Sequence, residues 1–178
     1  MEMRNVFMND KQFDKISARI RESYPNACIL WIDEIHNRNL EQEHEGLYQT
    51  IISKRGADKV TKQELFHGTA ESNIKSIATD GFQVSYSKIA AFGKGTYFSK
   101  YANYSINYST DGKDKICYMF LCSVITGESA VYGNMQEINK DQHDNSVDNI
   151  LNPTMYITPY DYGGIPKYII AFYKHAQK

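Results

Sequence analysis

The chain has 178 residues, 42% of them apolar and 23% charged, with a formal net charge of −1. That length holds one compact domain with a real core and little room for a second, and the charge supplies no global field to recruit nucleic acid or an anionic membrane. The cysteines, Cys28, Cys117 and Cys122, are odd in number and show no CxxC spacing, so neither a disulfide framework nor a zinc site is suggested.

In chain order, residues 1–9 read as a flexible lead-in to a single domain over 1–178. Their sequence, MEMRNVFMN, has no long apolar run of the signal-peptide kind, and no later stretch approaches membrane-spanning length. A soluble intracellular protein, cytoplasmic or nuclear, is the expectation. Asp10 to Tyr24 places Phe13, Ile16 and Ile20 at helical spacing behind Asp10 as a cap. Cys28 to Ile32 is a compact apolar run, strand-like but ambiguous at that length. Asn39 to Lys59 reads as a second helix burying Leu40, Leu47 and Ile51, with its charges in solvent.

Leu65-Phe66-His67 is a short apolar run closed by Gly68. Ala70 to Thr79 carries Ile74, Ile77 and Ala78 at helical spacing, and Gly81 reads as its C-cap. Gly95 to Phe98 is strand-like, Ala102 to Tyr108 a short helix, and Ile116 to Ile125 a long β-rich run suited to a central strand. Gly127 to Pro153 is polar and loop-like. Met155 to Thr158 and Lys167 to Tyr173 close the chain as strands around a turn containing Gly163-Gly164. Mixed order and short strands imply α+β rather than an alternating βαβ fold.

Single motifs say little. Phe92-Gly93-Lys94-Gly95 is neither a Walker loop nor a dinucleotide fingerprint, because Phe98 stands where a third glycine belongs. A lone histidine such as His67 is more often a packed or surface residue than a catalyst. The fourteen tyrosines suit a pocket for a planar polar ligand as well as they suit an ordinary surface.

In combination the motifs are specific. Leu65-Phe66-His67-Gly68-Thr69, then Gly81-Phe82, then Phe92-Gly93-Lys94-Gly95-Thr96-Tyr97-Phe98, then Ala102-Asn103-Tyr104-Ser105, then Tyr118-Met119-Phe120, resembles the poly(ADP-ribose) polymerase catalytic domain, a diphtheria-toxin-like ADP-ribosyltransferase. The resemblance runs from Asp10 to the C-terminus and is dense from Leu65 to Ser109. It implies an α+β ADP-ribosyltransferase fold, with two small packed, mostly antiparallel sheets flanked by helices and an NAD⁺ cleft between them. His67 and Tyr97 should lie on adjacent strands.

The resemblance also implies roles. NAD⁺ is the substrate, with no metal. His67 matches the histidine that bonds a ribose 2′-hydroxyl, and Tyr97 the second triad residue, packing one face of nicotinamide. Gly68 matches the residue whose backbone pairs with the carboxamide, where a side chain would obstruct the ligand. Ser105 falls at the hydroxyl on the carboxamide, with Tyr104 beside it, and Tyr108 at the ring stacking the opposite face. The third triad position, a glutamate in chain-forming members, is Met155 here, counted back from Pro166-Lys167-Tyr168-Ile169-Ile170. Methionine cannot act as a carboxylate does, so the pattern implies transfer of one ADP-ribose unit.

A second departure is the short stretch from Gln83 to Ala91, which resembles a trimmed donor-site loop without arginine. Lys88 or Lys94 is left to face the pyrophosphate, or simply solvent. The autoinhibitory helical domain of DNA-responsive members does not precede the catalytic part here, so no DNA requirement is expected. Two alternatives stand beside mono-transfer: a silent domain binding NAD⁺, ADP-ribose or a partner, and chain formation with Glu128 or Glu137 as a borrowed carboxylate. The acceptor, a protein side chain, a nucleic-acid end or a small molecule, is open.

Overall fold

The computed structural model describes residues 1–8, 10–87, 91–110, 112–134 and 136–174. In chain order the elements are β1 (Glu2–Val6), α1 (Lys11–Arg21), β2 (Cys28–His36), α2 (Arg38–Arg55), β3 (Thr61–Thr69), α3 (Ile74–Asp80), β4 (Thr96–Ser99), α4 (Ala102–Ile106), β5 (Cys117–Thr126), β6 (Ser129–Ala130), β7 (Asn145–Val147), β8 (Met155–Thr158) and β9 (Gly164–Tyr173). The α+β expectation is met, and no helix among the described residues is long and apolar enough to cross a membrane.

The two longer helices, α1 and α2, begin at side chains that cap them. The Asp10 carboxylate accepts from the Gln12 amide at 2.9 Å, and Phe13, Ile16 and Ile20 face the core. Asn37 does two jobs. Its Oδ1 accepts from the Leu40 amide at the start of α2, while its Nδ2 donates to the carbonyls of Ala78 and Thr79 at the end of α3. Gly81 follows α3 at φ 78°, a left-handed conformation that a side chain would strain.

One expectation needs correction. The strands form a single mixed nine-stranded sheet, ordered β1-β2-β9-β5-β3-β4-β8-β7-β6, not two packed antiparallel sheets. All neighbours are antiparallel except β6 and β7. The physical reason is the narrow join between the two groups of strands. β3 pairs with β5 along its whole length, from Thr61↔Thr126 to Thr69↔Tyr118. With β4 it makes one pairing, Phe66↔Ser99. That one pairing makes a continuous ladder of what the resemblance describes as two sheets, and it leaves β3 without a strand partner past Phe66 on the β4 side.

Three further segments depart from the sequence reading. Glu2–Val6 is strand β1, paired with Ile32–His36, so the reading of residues 1–9 as a flexible lead-in does not hold there. Arg4 and Asn5 fasten it through Glu34 and Asp33 on β2. The polar 127–153 stretch contains β6 and β7. They are held by side chains rather than an apolar pattern: Asn145 bridges the Gly127 amide and the Ile125 carbonyl, and buried Asp144 pairs with Arg55 of α2. Pro166 lies inside β9, beside the irregularity where Leu121↔Tyr168 gives way to Cys122↔Pro166. A residue without an N–H is tolerated at such a break in the ladder.

The core spreads over both faces. Phe66, Met119, Leu121, Ile170 and Phe172 pack under α1 and α4, while Leu65, Phe82, Phe98, Phe120 and Ile169 pack under α3. In the second group a Cβ on Gly164 would lie 2.4 Å from the Phe98 ring, which itself meets Phe82 edge-on at 5.1 Å between centroids. Gly164→Ala is therefore expected to cost about 1–3 kcal/mol by overpacking. Urea unfolding of the two proteins checks it, and an unchanged midpoint would show that Phe98 has room to retreat.

Candidate active site

A cleft of about 930 Å³ lies along the join of β3 and β4. His67, Gly68 and Thr69 of β3 and Thr96 to Ser99 of β4 form its floor, α4 contributes Tyr104 and Ser105, with Tyr108 just beyond, and α3 contributes Ser76, Ile77 and Asp80. His67 and Tyr97 do lie on adjacent strands.

His67 is held on three sides. Its Nδ1 is 2.8 Å from the carbonyl oxygen of Tyr97, which can only accept, so Nδ1 carries the proton. Its ring meets Phe82 at 4.7 Å and Phe98 at 5.6 Å between centroids. Burial pushes the imidazole below its ordinary pKa, and the bond to Tyr97 offsets this only in part. The neutral ring then has Nε2 as an unprotonated acceptor, suited to a hydroxyl donor in the cleft.

Tyr97 is fixed at both ends. Its backbone carbonyl orients His67, and its phenol accepts from the Phe92 amide at 2.9 Å and donates to the Gly93 carbonyl at 2.8 Å. Phe92-Gly93-Lys94-Gly95 is thus a structural loop strapped to Tyr97. Gly95 must be small as well, because a Cβ there would lie 2.3 Å from the Thr158 carbonyl oxygen.

Gly68 requires a different steric explanation from the one the resemblance implies. A Cβ at this position would lie 1.7 Å from the carbonyl oxygen of Ser105 and 3.0 Å from Ser109 Oγ. The glycine is demanded first by α4, which crosses β3 at backbone contact. Ser109 locks that approach by donating to the Tyr118 carbonyl at 2.7 Å. Ser105 is consequently buried at 3% exposure on the wall of the cleft. Tyr104 and Tyr108 share a 2.9 Å hydrogen bond between their hydroxyls, and Tyr108 stays 37% exposed at the rim. Burial, then the Tyr108 hydroxyl, holds the Tyr104 phenol well above its ordinary pKa, so it stays neutral.

Met155 is not among the residues lining the cleft. It pairs with Ser99, is 5% exposed, and packs with Ile138 and Ile157 against Tyr97 and Tyr104. Its burial follows from its chemistry: an apolar thioether gains more from packing against two tyrosine rings than from facing a polar cleft. The start of β8 is set instead by Asp148, which sequence reading passed over. Burial alone would raise its carboxyl, but bonds from the Thr154 hydroxyl and the Met155 and Thr154 amides bring it below the usual range.

Several other assignments settle here. Lys94 pairs with Glu137 at 2.8 Å and does not line the cleft, and Lys88 lies outside the described residues. Neither Glu128 nor Glu137 lines it either. Sequence reading also missed a stripe on the helical turn that begins at Glu71 and continues as α3: Asn73, Ser76, Ile77 and Asp80, spaced i, i+3, i+4, i+7, all face the cleft. The spacing was visible, but it was read only for its apolar members.

Residues 11–155 match the family model for the poly(ADP-ribose) polymerase catalytic domain. The chain belongs to that family. Among its relatives, the human protein mono-ADP-ribosyltransferase PARP14 is 28% identical over 93% of this chain and 10% of its own length. The human protein mono-ADP-ribosyltransferase PARP11 is 30% identical over 91% of this chain and 56% of its own. A probable poly [ADP-ribose] polymerase of Dictyostelium discoideum is 30% identical over 88% of this chain and 48% of its own. The chain therefore spans between a tenth and about half of these relatives.

Within this polymerase-family domain, the packing of Met155 makes a sharp expectation. Met155→Leu should unfold within about 1.5 kcal/mol of the parent, being a volume-conserving swap. Met155→Glu should cost about 3 kcal/mol at pH 7, because a carboxylate there would be buried among apolar and aromatic side chains. Its folded-state pKa would be raised, so stability should return as pH falls toward the unfolded carboxyl range. A fully stable glutamate variant at pH 7, measured by urea unfolding, would place this side chain in open cleft.

Proposed function

We propose that this domain cleaves NAD⁺ at the nicotinamide–ribose bond and transfers one ADP-ribose unit to an acceptor. The observation that carries the reading is the His67–Tyr97 pair in a large cleft, with an apolar Met155 where a chain-forming enzyme needs a carboxylate. His67 Nε2 accepts from a ribose hydroxyl, Tyr97 and Tyr108 sandwich the nicotinamide ring, and Ser105 with the Gly68 backbone holds its carboxamide. Tyr104 steadies Tyr108 through the bond between their hydroxyls.

The chemistry is positioning. The C1′–N bond breaks with its electron pair leaving on nicotinamide, which departs neutral. Positive charge on the ribose is relieved as an acceptor oxygen bonds to C1′. A carboxylate acceptor needs no base for this step, which suits a site whose histidine is neutral and whose third triad position has no ionisable group. Elongation would require activation of a ribose hydroxyl, and neither Glu128 nor Glu137 is placed to provide it. The two human relatives carry mono-ADP-ribosyltransferase in their names, in keeping with this reading.

Intact-mass analysis after incubation with NAD⁺ tests the proposal. We expect a single ADP-ribose increment on the protein or on an added acceptor, lost in His67→Ala. A ladder of increments would restore chain formation, and no increment with intact binding would mark a silent NAD⁺-binding domain.

The pH profile follows from His67. Its folded pKa lies below the ordinary 6.5, so NAD⁺ binding should be level from neutral pH down to about 6.5 and fall only below it. Calorimetry at several pH values checks this, and an acid limb centred above 6.5 would mean that Nε2 is protonated at the start.

A further inference from the structure

The charge of the cleft is the feature the reaction does not use. Among the described lining residues there is no lysine or arginine, although the proposed substrate carries a pyrophosphate. Asp80 is the one charged side chain among them. It is exposed, and among the described residues its carboxylate has no ion-pair or hydrogen-bond partner. It also stands at the C-terminal end of α3, where the helix dipole favours a cation, so the helix gains nothing from an anion there.

The position is well held. The Asn37 side chain ties the α3 terminus to α2 through the Ala78 and Thr79 carbonyls, and Leu40 fills the space beside Gly81. Two residues on, Phe82 packs its ring against His67. Asp80 is thus carried on the same rigid stripe as Asn73, Ser76 and Ile77. That stripe and the 83–87 turn line the cleft from a different element than α4, which carries Tyr104 and Ser105. With nicotinamide held at the α4 side, as proposed above, the adenosine half of the dinucleotide extends along this stripe.

We propose that Asp80 makes the cleft selective for NAD⁺ over its 2′-phosphorylated form, NADP⁺. This rests on the functional reading above. An adenosine ribose with free hydroxyls can donate to the carboxylate. A 2′-phosphate, close to a dianion at pH 7.5, meets a like charge and no described cation in the lining to offset it. Repulsion at this range in a partly enclosed site corresponds to about tenfold or more in affinity.

Calorimetry on the whole protein with benzamide, NAD⁺ and NADP⁺ tests this. The expected result is binding of benzamide and NAD⁺, with NADP⁺ at least about tenfold weaker. Asp80→Asn keeps size and hydrogen bonding while removing the charge. It should weaken NAD⁺ a few-fold, since a neutral amide oxygen is a poorer acceptor than a carboxylate, yet narrow the gap several-fold, and Asp80→Lys should narrow it further. The wild-type gap should also shrink at high salt, which a merely steric filter would not show. Equal NAD⁺ and NADP⁺ affinities in the wild type, or an unchanged ratio in both variants, would overturn the proposal. Failure of benzamide to bind would instead overturn the functional reading on which it rests.

Discussion

The hydrogen bond from His67 Nδ1 to the carbonyl of Tyr97 is the constraint on which the site depends. It crosses the join where β3 and β4 share one pairing, Phe66↔Ser99. There the ladder opens enough to admit a ligand, and a side chain takes over the bridging. The bond chooses the tautomer, and burial keeps the ring neutral. Tyr97 can serve as the acceptor because its own phenol is fastened to Phe92 and Gly93. A mobile Tyr97 would leave both the histidine and the ring face over the cleft undefined.

Around this bond the protein is built by close approach. Gly68 lets the backbone of α4 rest on β3, Gly95 lets β4 approach Thr158, and Gly164 makes room for Phe98 beneath His67. Phe82 and Phe98 then pack against the imidazole and each other with tilted and edge-on geometry, the arrangement that aromatic quadrupoles favour. The floor of the cleft is thereby rigid, while its rim carries exposed Tyr86 and Tyr108.

Chemically, the site works by placement more than by proton transfer. Its histidine is an acceptor, burial raises the Tyr97 and Tyr104 phenols, and Met155 packs against both of these rings. In the proposed mono-transfer reading, an apolar residue at 155 removes a base and contributes packing in its place. The charge that the described lining does carry, Asp80, belongs to recognition of the distal part of the ligand.

The order of motifs was legible in the sequence because each is short, local and chemically marked. His67-Gly68, the Phe92–Phe98 run, Tyr104-Ser105, the Asp10 cap and the Met155–Thr158 strand all stand where the chain alone places them. So did the lack of a carboxylate at 155, since residue type needs no coordinates. What the chain alone could not decide depends on partners far away in sequence. β1 is a strand because β2 pairs with it, and β6 and β7 exist because Asn145 and Asp144 find Ile125, Gly127 and Arg55. One ladder instead of two sheets, the reason for Gly68, the burial of Met155 and the turning of Asp80 into the cleft are likewise tertiary. Local propensity sets which residues can form an element; only the approach of another element decides which face is covered, which glycine is obligatory and which side chain meets the ligand.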